Sequence, residues 1–276
     1  MRDESLYSMT LEILSRSPGA RRRAVPLLFV HGAFAGAWCW DEYFLPWFAE
    51  QGYEARAVSL RGHGGSPVQG SLDLAGLDDY VADTLLAARQ IERPAVLIGH
   101  SMGAIVVQRA ARRCGALGLV LMAPVPPHGL AGSLFNLAVR DPPLFLALNT
   151  MQLGNGRNTA GLRRVRDFLF SKTLTEADAR RHLLRMQRES QRALTDLAWP
   201  QHLWMRQSVG LPTLVLGAAH DAFFTTAMID EAARFHAVSA RMFPDMAHAM
   251  MLEPEWLGVA RSILSWLQAQ RFESAD

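Results

Sequence analysis

Lysine is almost missing from this chain. Lys172 is the only one, and the other 27 basic residues are arginines, a bias that reflects genome composition rather than function. An excess of one charge is missing too: the formal net charge is +2, too small to draw the protein onto nucleic acid. Cysteine is scarce. Cys39 and Cys114 are too few for a disulfide framework or a metal site, and both are expected to pack as small hydrophobes. No apolar run approaches the ~18 residues of a bilayer span, so no stable membrane insertion is expected. The opening Met1–Ser5 is charged and lacks the apolar core of a secretory leader, which makes a soluble cytoplasmic protein the default expectation. Internal repeats and low-complexity tracts do not stand out. The short basic run Arg21-Arg22-Arg23 reads as a solvated hairpin turn rather than a binding patch.

What is present is an α/β rhythm. The chain has 276 residues, half of them hydrophobic, enough for a core buried on two faces of a sheet. Residues 8–16 alternate like an edge strand. Residues 25–30 form a continuous apolar run, as a strand covered on both faces requires. A helix is expected over 41–51, a strand over 55–60, and a helix over 77–91 that ends at Arg93-Pro94. Strands follow at 95–98 and 117–122. Strands alternating with helices of about 10–15 residues imply βαβ crossovers and a mostly parallel central sheet with helices on both faces.

The rhythm breaks at Pro124-Val125-Pro126-Pro127. Residues 125–208 read as an all-helical insertion, a cap, between two parts of a core comprising 1–124 and 209–276. One helix is expected to start at the capping-box-like Thr175-Glu176-Ala177-Asp178. It would align Leu183, Met186, Ala193, Leu194 and Leu197 on one stripe, with a wet face of Arg181, Arg185, Arg188 and Arg192. The insertion carries twelve basic and six acidic residues. The favoured reading is a solvated face, with Glu189 pairing to Arg185 or Arg192; the other is attraction of anionic substrates or membranes. The rhythm resumes with a strand over 211–216, a helix over 226–235, a strand over 239–243 and a helix over 255–270.

The chemistry gathers around Gly99-His100-Ser101-Met102-Gly103. This is G-x-S-x-G between an apolar strand and a helix, the setting of a nucleophile elbow. The turn strains the serine backbone, so its neighbours must be small, and the hydroxyl of Ser101 then stands above the sheet. A serine needs a base, and the base needs a carboxylate to fix its tautomer. Asp221, just past the strand at 211–216, and His248, in the loop before the last helix, supply both in the order Ser…Asp…His. Asp245 and Asp230 compete for the carboxylate role: Asp230 falls inside a helix, and Asp245 offers itself as a partner at one remove from His248. An oxyanion needs two N–H donors. Met102 follows the nucleophile. The other comes from His31-Gly32-Ala33-Phe34, with Ala33 first and Phe34 second. His31 is read as structural, His100 as pointing away, and His128, Phe34, Phe135 and Leu144 as candidates for the substrate pocket. His63, His182, His202, His220 and His236 carry no specific assignment.

Together HGAFAGAWCW (31–40), LRGHGGS (60–66), GHSMG (99–103) and the Asp221 and His248 loops resemble the α/β-hydrolase superfamily across nearly the whole chain outside the insertion. The first piece is similar to plant methyl-esterase and hydroxynitrile-lyase relatives, the next two to bacterial esterases, perhydrolases and monoacylglycerol lipases. The resemblance implies the α/β-hydrolase fold, a helical cap, a covalent acyl-enzyme and no cofactor or metal. Two departures stand out: Ala104 follows the elbow where a second glycine is frequent, and Ser59 precedes Arg-Gly-His-Gly where relatives often carry aspartate. A serine at 101 argues against epoxide hydrolases and haloalkane dehalogenases, which use aspartate. The absence of lysine near His248 argues against hydroxynitrile lyase activity. The expected reaction is hydrolysis of a small apolar ester. Apolar cap residues Leu134, Phe135, Leu144, Phe145, Leu146 and Met151 either line its pocket or pack the cap. A thioesterase, a perhydrolase or a C–C bond hydrolase would use the same triad, and a non-catalytic receptor would use the same fold.

Overall fold

The computed structural model describes residues 10–19, 23–152, 159–201, 208, 210–270 and 272. Among these, β1 (Ile13–Arg16), β2 (Leu27–Val30), β3 (Ala55–Val58), β4 (Val96–His100), β5 (Gly118–Met122), β6 (Thr213–Ala218) and β7 (Ala240–Phe243) form one sheet in the order β1-β3-β2-β4-β5-β6-β7. Only β1 is antiparallel, with Ile13 opposite Val58 of β3; the other pairings are parallel. Burial follows position. Every residue of β2, β4 and β5 is buried, while the edge strands β1 and β7 are partly exposed. That is why the central strands read as unbroken apolar runs.

The helices of the core are α1 (Trp38–Asp41), α2 (Phe44–Glu50), α3 (Leu77–Arg89), α4 (Met102–Ala111), α10 (Thr226–Phe235) and α11 (Trp256–Ala269). α3 packs on α4. α2 meets α11 through Trp256, which stacks on Tyr43 at 5.0 Å and meets Phe44 at 6.0 Å. Between β5 and β6 lie α5 (Ala131–Arg140), α6 (Pro142–Gln152), α7 (Thr159–Leu169), α8 (Glu176–Arg185) and α9 (Gln191–Ala198). Main-chain bonds from Leu130 N–H to Leu197 O (2.9 Å) and from Gln201 N–H to Pro127 O (2.7 Å) tie the two ends of that helical segment together.

From β2 the chain moves outward to β3, then crosses back to β4 and continues toward β7. The loops leaving the carboxyl ends of β2 and β4 therefore diverge, and open α/β sheets place their crevice at such a point.

Several local expectations need correction. β1 pairs with β3 and not with β2, so the two strands flanking the run at 21–23 do not form the expected hairpin; Arg21 and Arg22, like Ser8 and Met9, lie outside the described residues. The helix expected from 41 is α2, which starts at Phe44 and holds Pro46 in its first turn, where a missing N–H does no harm. The long helix expected after Thr175 is two. Met186 leaves the helical region at ψ 145°, and Ser190 caps a second start by accepting the Ala193 N–H.

Candidate active site

Ser101 sits between β4 and α4 at φ 52°, ψ −116°, a backbone conformation that side chains other than glycine rarely adopt. Its N–H donates to Met122 O on the neighbouring strand at 2.9 Å. A Cβ at Gly99 would strike the Gly103 backbone, and one at Gly103 would strike the carbonyls of Val30 and His31. The elbow is therefore pressed against the exit of β2.

Asp221 lies in the turn after β6. Its Oδ1 accepts the N–H groups of Phe223 (2.7 Å) and Phe224 (3.0 Å). Its Oδ2 meets His248 Nδ1 at 2.8 Å, with the carboxylate fully buried. A carboxylate only accepts, so Nδ1 carries the proton and the neutral ring leaves Nε2 bare. Phe223 and Phe224 pack on the imidazole at 4.7 and 5.4 Å between ring centroids. Main-chain bonds from Ala219 N–H to Phe243 O and from His220 N–H to Met246 O, each 2.9 Å, lash the two loops together. Asp245 is exposed and takes no part in that contact.

His100 does not point away. It lines the same cavity as Ser101 and His248, and its Nε2 meets the His248 carbonyl at 2.9 Å. Burial, reinforced by the neighbouring His248, holds its pKa well below the ordinary histidine value. The neutral ring must then carry its proton on Nε2 and donate it to that carbonyl.

The loop after β2 is held from several sides. His31 is buried and pushed down to about 3, by burial first and then by His63. Its Nε2 accepts the Leu60 N–H at 3.0 Å, so its Nδ1–H donates to Gly32 O at 2.8 Å. Phe34 stands at φ 65°. Its N–H donates to Glu189 Oε2 at 3.3 Å, and its carbonyl accepts the Gln187 N–H at 2.9 Å. The Phe34 amide, the second choice as oxyanion donor, is thus already committed. Among the described residues the amides of Ala33 and Met102 have no intramolecular partner. Ser59 bonds Glu12 Oε2 through its hydroxyl at 2.5 Å and accepts the Ala37 N–H at 2.8 Å. A carboxylate from the residue just before β1 thus reaches Ser59, the position where the resemblance leads one to expect aspartate.

Glu189 is the largest departure from the sequence reading. It is not on a wet arginine face. It is fully buried, as is His63, whose Nε2 lies 3.2 Å from Glu189 Oε2. Oε1 accepts the Tyr80 hydroxyl at 2.5 Å and the Ser190 N–H at 2.7 Å. The neighbouring His63 and these donors hold the carboxyl below its ordinary value despite burial, and Glu189 in turn raises His63.

A cavity of about 380 Å³ opens over Ser101 and His248, with walls contributed by both core and helical segment. Phe34 is in the wall, with Trp38, Leu134, Phe145 and Phe170. Three pocket candidates are elsewhere. His128 bonds Glu231 at 2.9 Å, Phe135 is 71% exposed on the outer side of α5, and Leu144 is buried outside the cavity wall. Leu146 is also exposed, and the side chain of Met151 lies outside the described residues, as does His202. Two polar wall residues escaped sequence reasoning. Trp38 and His182 stack at 6.2 Å, and among the described residues the buried Trp38 Nε1 and both buried His182 ring nitrogens have no hydrogen-bond partner. Among the described residues, no group of three or more His, Cys, Asp or Glu is arranged to hold a metal ion.

A doubly covered, mostly parallel sheet with a serine on a left-handed strand-to-helix turn defines the class of α/β hydrolase folds. The family model described as "Alpha/beta hydrolase family" matches residues 27–258, and the chain belongs to that family. A rice protein (Oryza sativa subsp. indica) named "Probable esterase PIR7A" is 34% identical over 108 residues, 37% of this chain. The match spans 40% of the rice protein's own length. A thermophilic esterase from Thermogutta terrifontis has a TM-score of 0.72 at 20% identity, covering 94% of this chain and 93% of its own. A bromoperoxidase from Bacillus anthracis has a TM-score of 0.72 at 18% identity, covering 94% and 96%. At such identities the two structures speak to fold alone.

Proposed function

We propose that this chain is a serine hydrolase that cleaves a carboxylic ester through Ser101, His248 and Asp221. The observation that carries the reading is the Asp221–His248 bond, which leaves Nε2 of the imidazole bare in the cavity that also holds Ser101. The Ser101 oxygen attacks the acyl carbon as its proton passes to His248 Nε2. Asp221 stabilises the imidazolium through Nδ1–H. The amides of Ala33 and Met102 receive the oxyanion. Collapse breaks the ester bond, and the imidazolium gives its proton to the departing alcohol. Water then attacks the acyl-enzyme, again through His248, releasing the acid and restoring Ser101.

Residues 125–208 serve as the cap over a core of 1–124 and 209–276, and the apolar walls suit an uncharged acyl or alcohol group. The esterase name of the rice protein supports the same reading.

The test is labelling with a fluorophosphonate, mass mapping of the adduct, and turnover of p-nitrophenyl esters of increasing acyl length. The adduct is expected on Ser101, and Ser101→Ala is expected to remove turnover by several orders of magnitude while the protein stays folded. A folded wild-type protein that neither labels nor turns over any ester would favour a receptor on this fold.

A further inference from the structure

Phe34 is gripped by residues far away in sequence. The linker between α8 and α9 takes both polar groups of this residue's main chain: Glu189 accepts its N–H, and Gln187 donates to its carbonyl. The residue so held is in the left-handed region at φ 65°, where a bulky side chain is strained and persists only if its surroundings impose it. One peptide back is Ala33, whose amide has no partner among the described residues. The direction of that amide is set by the conformation of the turn.

We propose that Glu189 is a positioning residue: by accepting the Phe34 N–H it holds the turn after β2 in the strained form that aims the Ala33 amide at the oxyanion. The inference rests on the serine hydrolase reading above. It makes the oxyanion site a joint product of the core and the helical segment, because the acceptor is carried by the segment and the donor by the core.

The carboxylate suits this task in a way that its amide does not. Four groups converge on its two oxygens: the Phe34 N–H and His63 Nε2 on Oε2, the Tyr80 hydroxyl and the Ser190 N–H on Oε1. An ionised carboxylate accepts at both ends, whereas glutamine must present an NH₂ to one pair of these groups. Glu189→Gln is therefore isosteric yet misplaces a donor. Glu189→Ala removes the acceptor altogether. Glu189 is not part of the cavity wall, so its loss should act on the transition state and leave ground-state binding largely intact.

The experiment uses the full chain and a short p-nitrophenyl ester. Competent sites are counted by fluorophosphonate titration to completion, so that kcat is expressed per titrated serine. An arylboronic acid, which forms a tetrahedral adduct on the serine, reports the oxyanion site directly. The expected result is a fall in kcat of about 10-fold for Glu189→Gln and about 100-fold for Glu189→Ala, with KM changed less than about threefold: at or below the ~10²–10³-fold loss known for removing one oxyanion donor outright, because the donor is misaimed rather than removed. Boronate affinity should weaken in proportion. Wild-type kcat per titrated site with unchanged boronate affinity in Glu189→Gln would overturn the proposal, and so would a loss explained wholly by fewer titratable sites. If Glu189→Ala does not fold, Glu189→Gln decides alone. Failure of wild-type protein to label or turn over would instead strike the hydrolase reading.

Discussion

The Nε2–H of His100 donates to the main-chain carbonyl of His248 at 2.9 Å, and the two rings lie 4.7 Å apart. The residue before the proposed nucleophile thus fixes the backbone of the proposed base, across 148 positions of sequence. His100→Ala is expected to lower kcat/KM by about 10- to 100-fold, because misplacing a reacting group by about an ångström has that effect. His100→Gln, which keeps an N–H donor, should recover part of the loss. Steady-state kinetics on both variants check this, and equal loss in the two would reject the hydrogen bond as the cause.

Asp221 offers a sharper test of tautomer control. Its Oδ1 is engaged by two main-chain N–H groups, so asparagine at 221 must leave its carbonyl oxygen there and turn its NH₂ toward His248. The imidazole would then accept at Nδ1 and carry its proton on Nε2, where it cannot take one from Ser101. Asp221→Asn is expected to lower kcat by about 10⁴-fold near neutral pH with little change in melting temperature. A variant within tenfold of wild type would refute the assigned roles.

Much of this was readable in the chain. Ala95–Ile98 and Leu117–Met122 are apolar because their strands are covered on both faces, and a strand, a tight turn and a helix around Ser101 follow from local residue types. Asp221 and His248, both singled out from local residue types, meet in the fold and are only 27 residues apart in sequence. What escaped was decided by partners remote in sequence. Glu189 looks like one more charge on an arginine-rich helix until His63, 126 residues earlier in the numbering, takes it inside. Phe34 looks like a donor until its amide meets Glu189, 155 residues on. Ser190 was the one local hint, since a serine in mid-run is a good N-cap and a poor helix interior. His128, in the turn before α5, is taken by Glu231, 103 residues on, and Phe135 is exposed because apolar residues on a helix do not show which of its faces meets the cavity.

Stability should fall on mild acidification. Burial holds His31 at about 3 and His236 at about 4, and it holds His100 well below 6.5. Each takes up a proton near pH 6.5 only when the chain unfolds, so the unfolded state binds more protons and stability drops as pH falls below 6.5. For His31 the loss is about 2 kcal/mol by pH 5, at ~1.4 kcal/mol for each pH unit, and His100 adds to it in the same direction. His63 and Glu253, whose pKa values are raised, work in the opposite sense and temper the decline. Thermal melts at pH 7.5 and pH 5 should therefore show a lower midpoint at pH 5, and His236→Gln should flatten the difference. A flat profile, or a midpoint that rises toward pH 5, would contradict this assignment of buried neutral histidines.

Among the described residues the two buried ring nitrogens of His182 have no partner; the ring stacks on Trp38 at 6.2 Å and lies tilted against Phe170 at 5.9 Å. Burial lowers its pKa, so the ring is neutral. His182→Phe keeps the aromatic stack and removes the unsatisfied groups, and it is expected to stabilise the protein by about 1 kcal/mol. Denaturant midpoints measure this. A destabilised variant would mean that the nitrogens are satisfied in solution.

The helical segment holds the core at both ends of the reaction centre. Besides gripping Phe34, it accepts the Ala249 N–H on Leu169 O at 3.0 Å, and Ser171 donates to Glu253 through its N–H (2.6 Å) and its hydroxyl (2.5 Å). Exchanging the five helices for those of a relative, to graft a new substrate range, would therefore also exchange anchors of the loops that carry the chemistry. Swaps that spare Leu169, Ser171, Gln187 and Glu189 should retain turnover where wholesale chimaeras lose it.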